Sequence, residues 1–106
     1  MIRHIVFFTA KDGADLDAMV EGLELLGTIP HCDLLEVARN AKIDQIGNDV
    51  DVVVYAEFAD EAALAAYKAH PTYAAATKRV RPLRELRLAA DVEASDVAAQ
   101  RLRRFA

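Results

Sequence analysis

The stretch Tyr55-Ala-Glu-Phe58-Ala-Asp60-Glu-Ala-Ala-Leu64-Ala-Ala-Tyr67-Lys-Ala-His70-Pro71-Thr-Tyr73, running on to Val80-Arg81-Pro82, decides the fold. Its start reads as the end of a strand, and Asp60 stands where an N-cap belongs. The alanine-rich run from there to Ala69 is a strong helix former. His70-Pro71 then breaks it. Proline holds the preceding residue extended and fits the first turn of a new helix, so a second, short helix is predicted from Pro71 to about Val80. Pro82 ends that one. The break sets Tyr67, His70 and Tyr73 close together in sequence, within a chain that is otherwise aliphatic.

On either side of this stretch the pattern changes to strands. Ile2 to Thr9 is rich in β-branched and aromatic residues. Lys11-Asp12-Gly13 makes a turn, and Asp15 caps a helix expected to run to about Leu26, with Leu16, Met19, Val20, Leu23 and Leu26 on one face. Gly27 is expected to stop it, with Pro30 beyond. Leu34 to Ala41 reads as a second strand and Asp51 to Phe58 as a third, with Gly47-Asn48-Asp49 turning between them. Arg84 to Asp91 reads as a fourth. The order is β-α-β-β-α-β, with the second helix split in two.

The first and third strands are apolar on both faces. His4, Val6 and Phe8 alternate with Ile5 and Phe7, and Val52, Val54, Ala56 and Phe58 alternate with Val53 and Tyr55. The second and fourth carry charge, through Glu36, Arg39, Glu85 and Arg87. Central strands covered on both sides read as continuous apolar runs, whereas edges tolerate charge. A ferredoxin-like α+β protomer, with a four-stranded antiparallel sheet and strands one and three in the middle, predicts this distribution. Two helical layers' worth of chain covers one face only. The other, on the order of 400 Å² from standard spacings, is large for a free apolar surface. A second copy packed sheet to sheet with twofold symmetry covers it, so a homodimer is expected.

The 106 residues suit one domain, and 54% apolar content is enough for a core. Net charge is −4, with the signs interspersed, which argues against a nucleic-acid partner. The local runs Lys78-Arg79-Val80-Arg81 and Arg101-Leu102-Arg103-Arg104 suit the solvated C-terminal ends of helices. No apolar run can span a bilayer, and the start lacks a signal-peptide layout. Cys32 is the single cysteine, which excludes an internal disulfide. A cytoplasmic protein without membrane contact is expected. His4, His31 and His70 form no ligand-spaced cluster, and four scattered glycines make no phosphate loop. No metal and no cofactor are expected.

Several stretches together resemble the stress-responsive A/B barrel (Dabb) family of the dimeric α+β barrel superfamily. They are Met1-Ile2-Arg3-His4-Ile5-Val6-Phe7-Phe8, Ile29-Pro30, the run from Phe58 to Pro71, Val80-Arg81-Pro82-Leu83, and Ala90-Asp91. The resemblance covers about residues 1–91 and implies a protomer pairing as a dimeric α/β barrel. A polyketide-cyclising branch of that family uses a tyrosine and a histidine in a pocket between helices and sheet. The tyrosine matches Tyr67. The histidine is the second of a His-Pro-x-His motif, and here that position is Tyr73. The motif's first histidine is retained as His70, and the family's first-strand histidine as His4. The departure matters, because a phenol with a pKa of about 10 is a poor base near neutral pH, whereas imidazole is a good one.

Each marked residue has a plain reading beside the functional one. Tyr67 is a core tyrosine with its hydroxyl bonded to backbone, or it lines a pocket. His70 caps the break, or it takes part in chemistry. His4 is a satisfied core histidine, or it faces a cavity. Tyr73 is expected to pack with Thr77 and Val80. Residues 92–106 are expected to form a C-terminal helical extension, capped by Ser95, with Ala94, Val97, Ala98, Leu102 and Phe105 as an apolar stripe. The leading functional expectation is a homodimer that holds a small apolar or aromatic ligand between sheet and helices. A cofactor-free cyclase, lyase, isomerase or monooxygenase is the alternative. A non-catalytic assembly module is a third reading, and it predicts no ligand-sized cavity.

Overall fold

A computed structural model describes residues 1–98. Its elements are β1 (Ile2–Ala10), α1 (Leu16–Glu24), β2 (Leu34–Arg39), β3 (Val52–Phe58), α2 (Glu61–Ala69), α3 (Pro71–Val80) and β4 (Arg84–Glu93). The four strands form one sheet in the order β2-β3-β1-β4, and every neighbouring pair is antiparallel. The doubly apolar strands are the central ones, as their composition predicts. This is the ferredoxin-like α+β fold.

The expected caps form. The Ala18 amide donates to the Asp15 carboxylate at 3.2 Å, and the Ala63 amide donates to Asp60 at 2.8 Å. Gly13 turns the chain at a φ of +74°, in the left-handed region that glycine enters without strain. Gly27 does not act as a left-handed stop. The chain tightens instead into a 3₁₀ turn, Leu25–Thr28, which satisfies the last carbonyls of α1 by closer bonding. β2 ends at Arg39 rather than Ala41, because the chain leaves the sheet for a long connection. There the Asp44 carboxylate accepts from the Ile46 and Gly47 amides. β4 runs two residues past Asp91, since Glu93 still pairs with Ile2. Ser95 is not a helix cap: Ala94–Asp96 is a 3₁₀ turn capped by Glu93, whose carboxylate accepts from the Ser95 amide. The rest of the predicted extension, beyond Ala98, lies outside the described residues.

Antiparallel register decides which side chains share a face. Ile2, His4, Val6 and Phe8 of β1 oppose Phe58, Ala56, Val54 and Val52 of β3, and all eight are buried under the helices. Met19 and Leu23 of α1, Tyr67 of α2, and Ala76 and Val80 of α3 close the layer above them. The other face carries Ile5, Phe7, Val53, Leu86 and Leu88, and its Phe7, Leu86 and Leu88 stand exposed.

α1 and α3 approach closely at Gly22, where a Cβ would lie 2.9 Å from Val80 Cγ2. Alanine at Gly22 gains about 1 kcal/mol of helix propensity. It also forces overlap with a side chain stiff at χ1, and overpacking of that kind costs about 1–3 kcal/mol. Gly22→Ala is therefore expected to lower stability in urea denaturation. In a Val80→Ala background the same change should become neutral or stabilising, and a destabilisation that persists there would rule out the contact as its cause.

Candidate functional site

The break between α2 and α3 forms as its sequence dictates. His70 is extended, with φ −68° and ψ 140°, and its Nδ1 accepts from the Thr72 amide at 3.1 Å. Tyr67 thus sits near the end of one helix and Tyr73 near the start of the next. Their rings meet edge to face, with centroids 5.3 Å apart. This is a favourable aromatic geometry, and it fixes both phenols over the sheet.

Beneath them lies His4, which is 1% exposed. Its cross-strand partner is Asp91, and His4 Nδ1 meets the Asp91 carboxylate at 2.5 Å. Phe58 and Tyr67 stand edge-on to the imidazole at 6.2 and 6.4 Å. Burial pushes the imidazole pKa below its ordinary value, outweighing the Asp91 hydrogen bond and charge, which act the other way; Lys68 and Arg87 add to the lowering. Near neutral pH the ring is therefore uncharged. A carboxylate only accepts, so Nδ1 carries the proton and Nε2 keeps its lone pair.

The consequence for stability has a definite sign. The unfolded chain protonates this histidine near its ordinary value of 6.5, while the native ring resists. As pH falls through 6.5 the unfolded state gains a proton that the native state refuses, and stability drops until the native ring is protonated too. His4→Gln should flatten the fall of the melting temperature between about pH 7.5 and 5.5. Equal slopes in both proteins would contradict a neutral buried His4.

His4, Tyr67 and Tyr73 line one cavity between sheet and helices, of about 380 Å³ with its open mouth included. His4, Val54, Tyr67, Ala76 and Val80 are its buried inner wall. Tyr73, Thr77, Arg84 and Arg87, all partly exposed, lie toward solvent. The enclosed part is small, with room for about two waters. Tyr67 is almost wholly buried, and burial, with a smaller contribution from Tyr73, raises its pKa far above the ordinary value. It stays a donor. None of the side-chain hydrogen bonds among the described residues uses its hydroxyl, so the backbone bond expected of a core tyrosine is not made.

His70 is not among the residues lining the cavity; it is spent on the cap, and its ring lies 6.2 Å from His31. Asp91, Arg84 and Arg87 escape the sequence reading, which sees edge-strand charge. A signal existed for two of them. Arg87 and Asp91 are four apart on one strand, so they share a face, and that face is the one opposite Phe8 and His4. Among the described residues no three potential ligands gather as a metal site, and no helix is long and apolar enough to cross a membrane.

Comparison with known proteins agrees with this architecture. The family model described as "Stress Responsive A/B Barrel Domain" matches residues 2–94. A Dabb family protein with a ferredoxin-like fold from Mesorhizobium loti is 31% identical, with a TM-score of 0.72, covering 87% of this chain and 94% of that one. A dimeric ferredoxin-like protein of unknown function from Thermobifida fusca is 25% identical, TM-score 0.74, covering 86% and 88%. A dimeric protein of unknown function from Bacteroides fragilis is 26% identical, TM-score 0.70, covering 87% and 94%. No curated protein matches the chain.

Proposed function

The chain belongs to the stress-responsive A/B barrel domain family, and from that premise we propose that it is a homodimer, joined through its open sheet face, that binds a small apolar or aromatic molecule between sheet and helices. One observation carries the binding reading. The cavity wall is mostly apolar, yet His4 and Tyr67 line it, and no side-chain hydrogen bond among the described residues uses the Tyr67 hydroxyl or His4 Nε2. Polar groups that line a cavity without a protein partner are open to a bond from a bound molecule. A short apolar tip of the ligand reaches the enclosed part, and most of the molecule lies against the mouth. Exposed Phe7, Leu86 and Leu88 support the dimer, and its related dimeric structures agree. The single free Cys32 suits a reducing cytoplasm.

Titration with 4-butylphenol and 4-butylbenzamide, followed by protein NMR, tests the site. Shifts confined to residues around His4, Tyr67 and Tyr73 are expected, and Ala76→Trp, which fills the cavity, should abolish them. Uniform or absent shifts would leave the assembly reading in its place.

The enzymatic alternative has its own support in the His4–Asp91 pair. A neutral imidazole oriented by a carboxylate is the arrangement of a general base, and Tyr67 is a donor able to polarise a carbonyl. On that reading His4 Nε2 removes a proton from carbon next to the carbonyl, and it serves in place of the base that Tyr73 lacks. Loss of turnover in His4→Gln with the fold intact separates the two readings.

A further inference from the structure

We propose that the cavity selects small acids, molecules with an apolar or aromatic body and one carboxylate, and that Arg84 and Arg87 at the mouth hold the carboxylate. This rests on the binding reading above and specifies the ligand class of that same site.

The charges around the cavity are one-sided. Arg84 and Arg87 both line it, and neither makes an ion pair among the described residues, where the pairs are Met1–Glu93, His4–Asp91, Arg39–Asp17 and Lys42–Asp51. Among the described residues no carboxylate lines the cavity; Asp91 is engaged by His4. Partial burial, with Arg87 and Arg81 as like-charged neighbours, lowers the Arg84 pKa. Like charges gathered without a counter-ion repel, and an anion between them removes the repulsion. Guanidinium presents a planar fork of donors that matches a carboxylate, often through two parallel hydrogen bonds.

The surroundings extend the same sign. A groove that shares Tyr73 and Thr77 with the cavity is lined by Lys11, Lys78 and Arg81. The whole chain carries a net charge of −4, so this cationic tract runs against the overall balance. It draws anions toward the mouth. The positions also divide the ligand. The enclosed inner part is small and mostly apolar, and the half-exposed arginines lie toward the mouth, where the rest of a bound molecule would be. A carboxylate there keeps partial hydration while it pairs, which avoids the cost of burying a charge fully.

The test uses 4-butylbenzoate and its neutral counterpart 4-butylbenzamide, titrated calorimetrically into the full-length protein at constant ionic strength. The acid is expected to bind about tenfold tighter, a modest preference because the arginines are partly exposed. In Arg84→Gln/Arg87→Gln the preference should vanish, the acid and the amide binding alike. Lys78→Gln, on the adjoining groove, serves as a charge control and should keep most of the preference. Equal binding of acid and amide to the wild type overturns the carboxylate proposal and leaves the binding reading standing. A preference that survives the double substitution overturns the assignment to these arginines. Binding of neither compound overturns both readings together.

Discussion

Leu88→Asp is expected to leave a folded monomer. Leu88 is 62% exposed and lies directly across from Phe7, itself 38% exposed, with Val53 on the far side of Phe7. Leu86 adds to the patch opposite Thr9. These side chains point away from the helices, and in the proposed dimer a second copy buries them. Burying one leucine is worth about 1.5–3 kcal/mol. Twofold symmetry uses each residue twice, which doubles the loss to about 3–6 kcal/mol, or a dissociation constant raised by about two to four orders of magnitude. Desolvating the new aspartate adds to it. Sedimentation at micromolar concentration should show a dimer for the wild type and half that mass for the variant, with unchanged circular dichroism. A variant that stays dimeric would place the interface elsewhere, and a monomeric wild type would end the dimer reading. The other end of the same face holds Arg3, whose Nε is buried without a partner, and Tyr55, whose hydroxyl donates to Glu57.

Phe58→Ala is expected to cost about 3–5 kcal/mol, the range for removing a buried aromatic ring. A domain of this size has about 5–15 kcal/mol in total, so a large part of its stability goes. Phe58 is fully buried, supports Tyr67 with ring centroids 4.9 Å apart, and stands edge-on to His4. Its loss opens space beneath the inner wall of the cavity. The urea midpoint should fall steeply with the slope unchanged. A loss under about 1 kcal/mol would mean that Tyr67 and His4 close over the gap and that the cavity does not depend on this ring.

The fold was largely legible because its signals are local or periodic. Asp15 and Asp60 announce helix starts by their own chemistry, His70-Pro71 announces a break, and double-sided apolar runs mark the central strands. The site was only half legible. Tyr67 and Tyr73 could be related through the helix break, which is short-range. Asp91 could not be joined to His4, since only the register of β1 with β4 brings them together. β4 also inverts the usual rule. Its leucines face away from the helices and its Arg87 faces them, so hydrophobicity alone assigns the faces wrongly. That inversion matches an open face proposed to pack on a second copy, while the helix side holds a cavity. Gly27 failed as a stop because a 3₁₀ turn competes with the left-handed cap, and the two leave no difference in composition.

The position of β1 in the sheet also sets an order of assembly. β1 is the first strand of the chain and pairs with β4, the last, so His4 and Asp91 meet across 87 residues. Contacts between distant residues form late, because the loop entropy is lost before the contact repays it. During synthesis β1 waits with one edge unpaired, and the charged clamp on the imidazole is the final piece. The cleft therefore comes into being only with the completed sheet. Amide exchange should then report the paired amides of β1 and β4 opening together, as one cooperative unit.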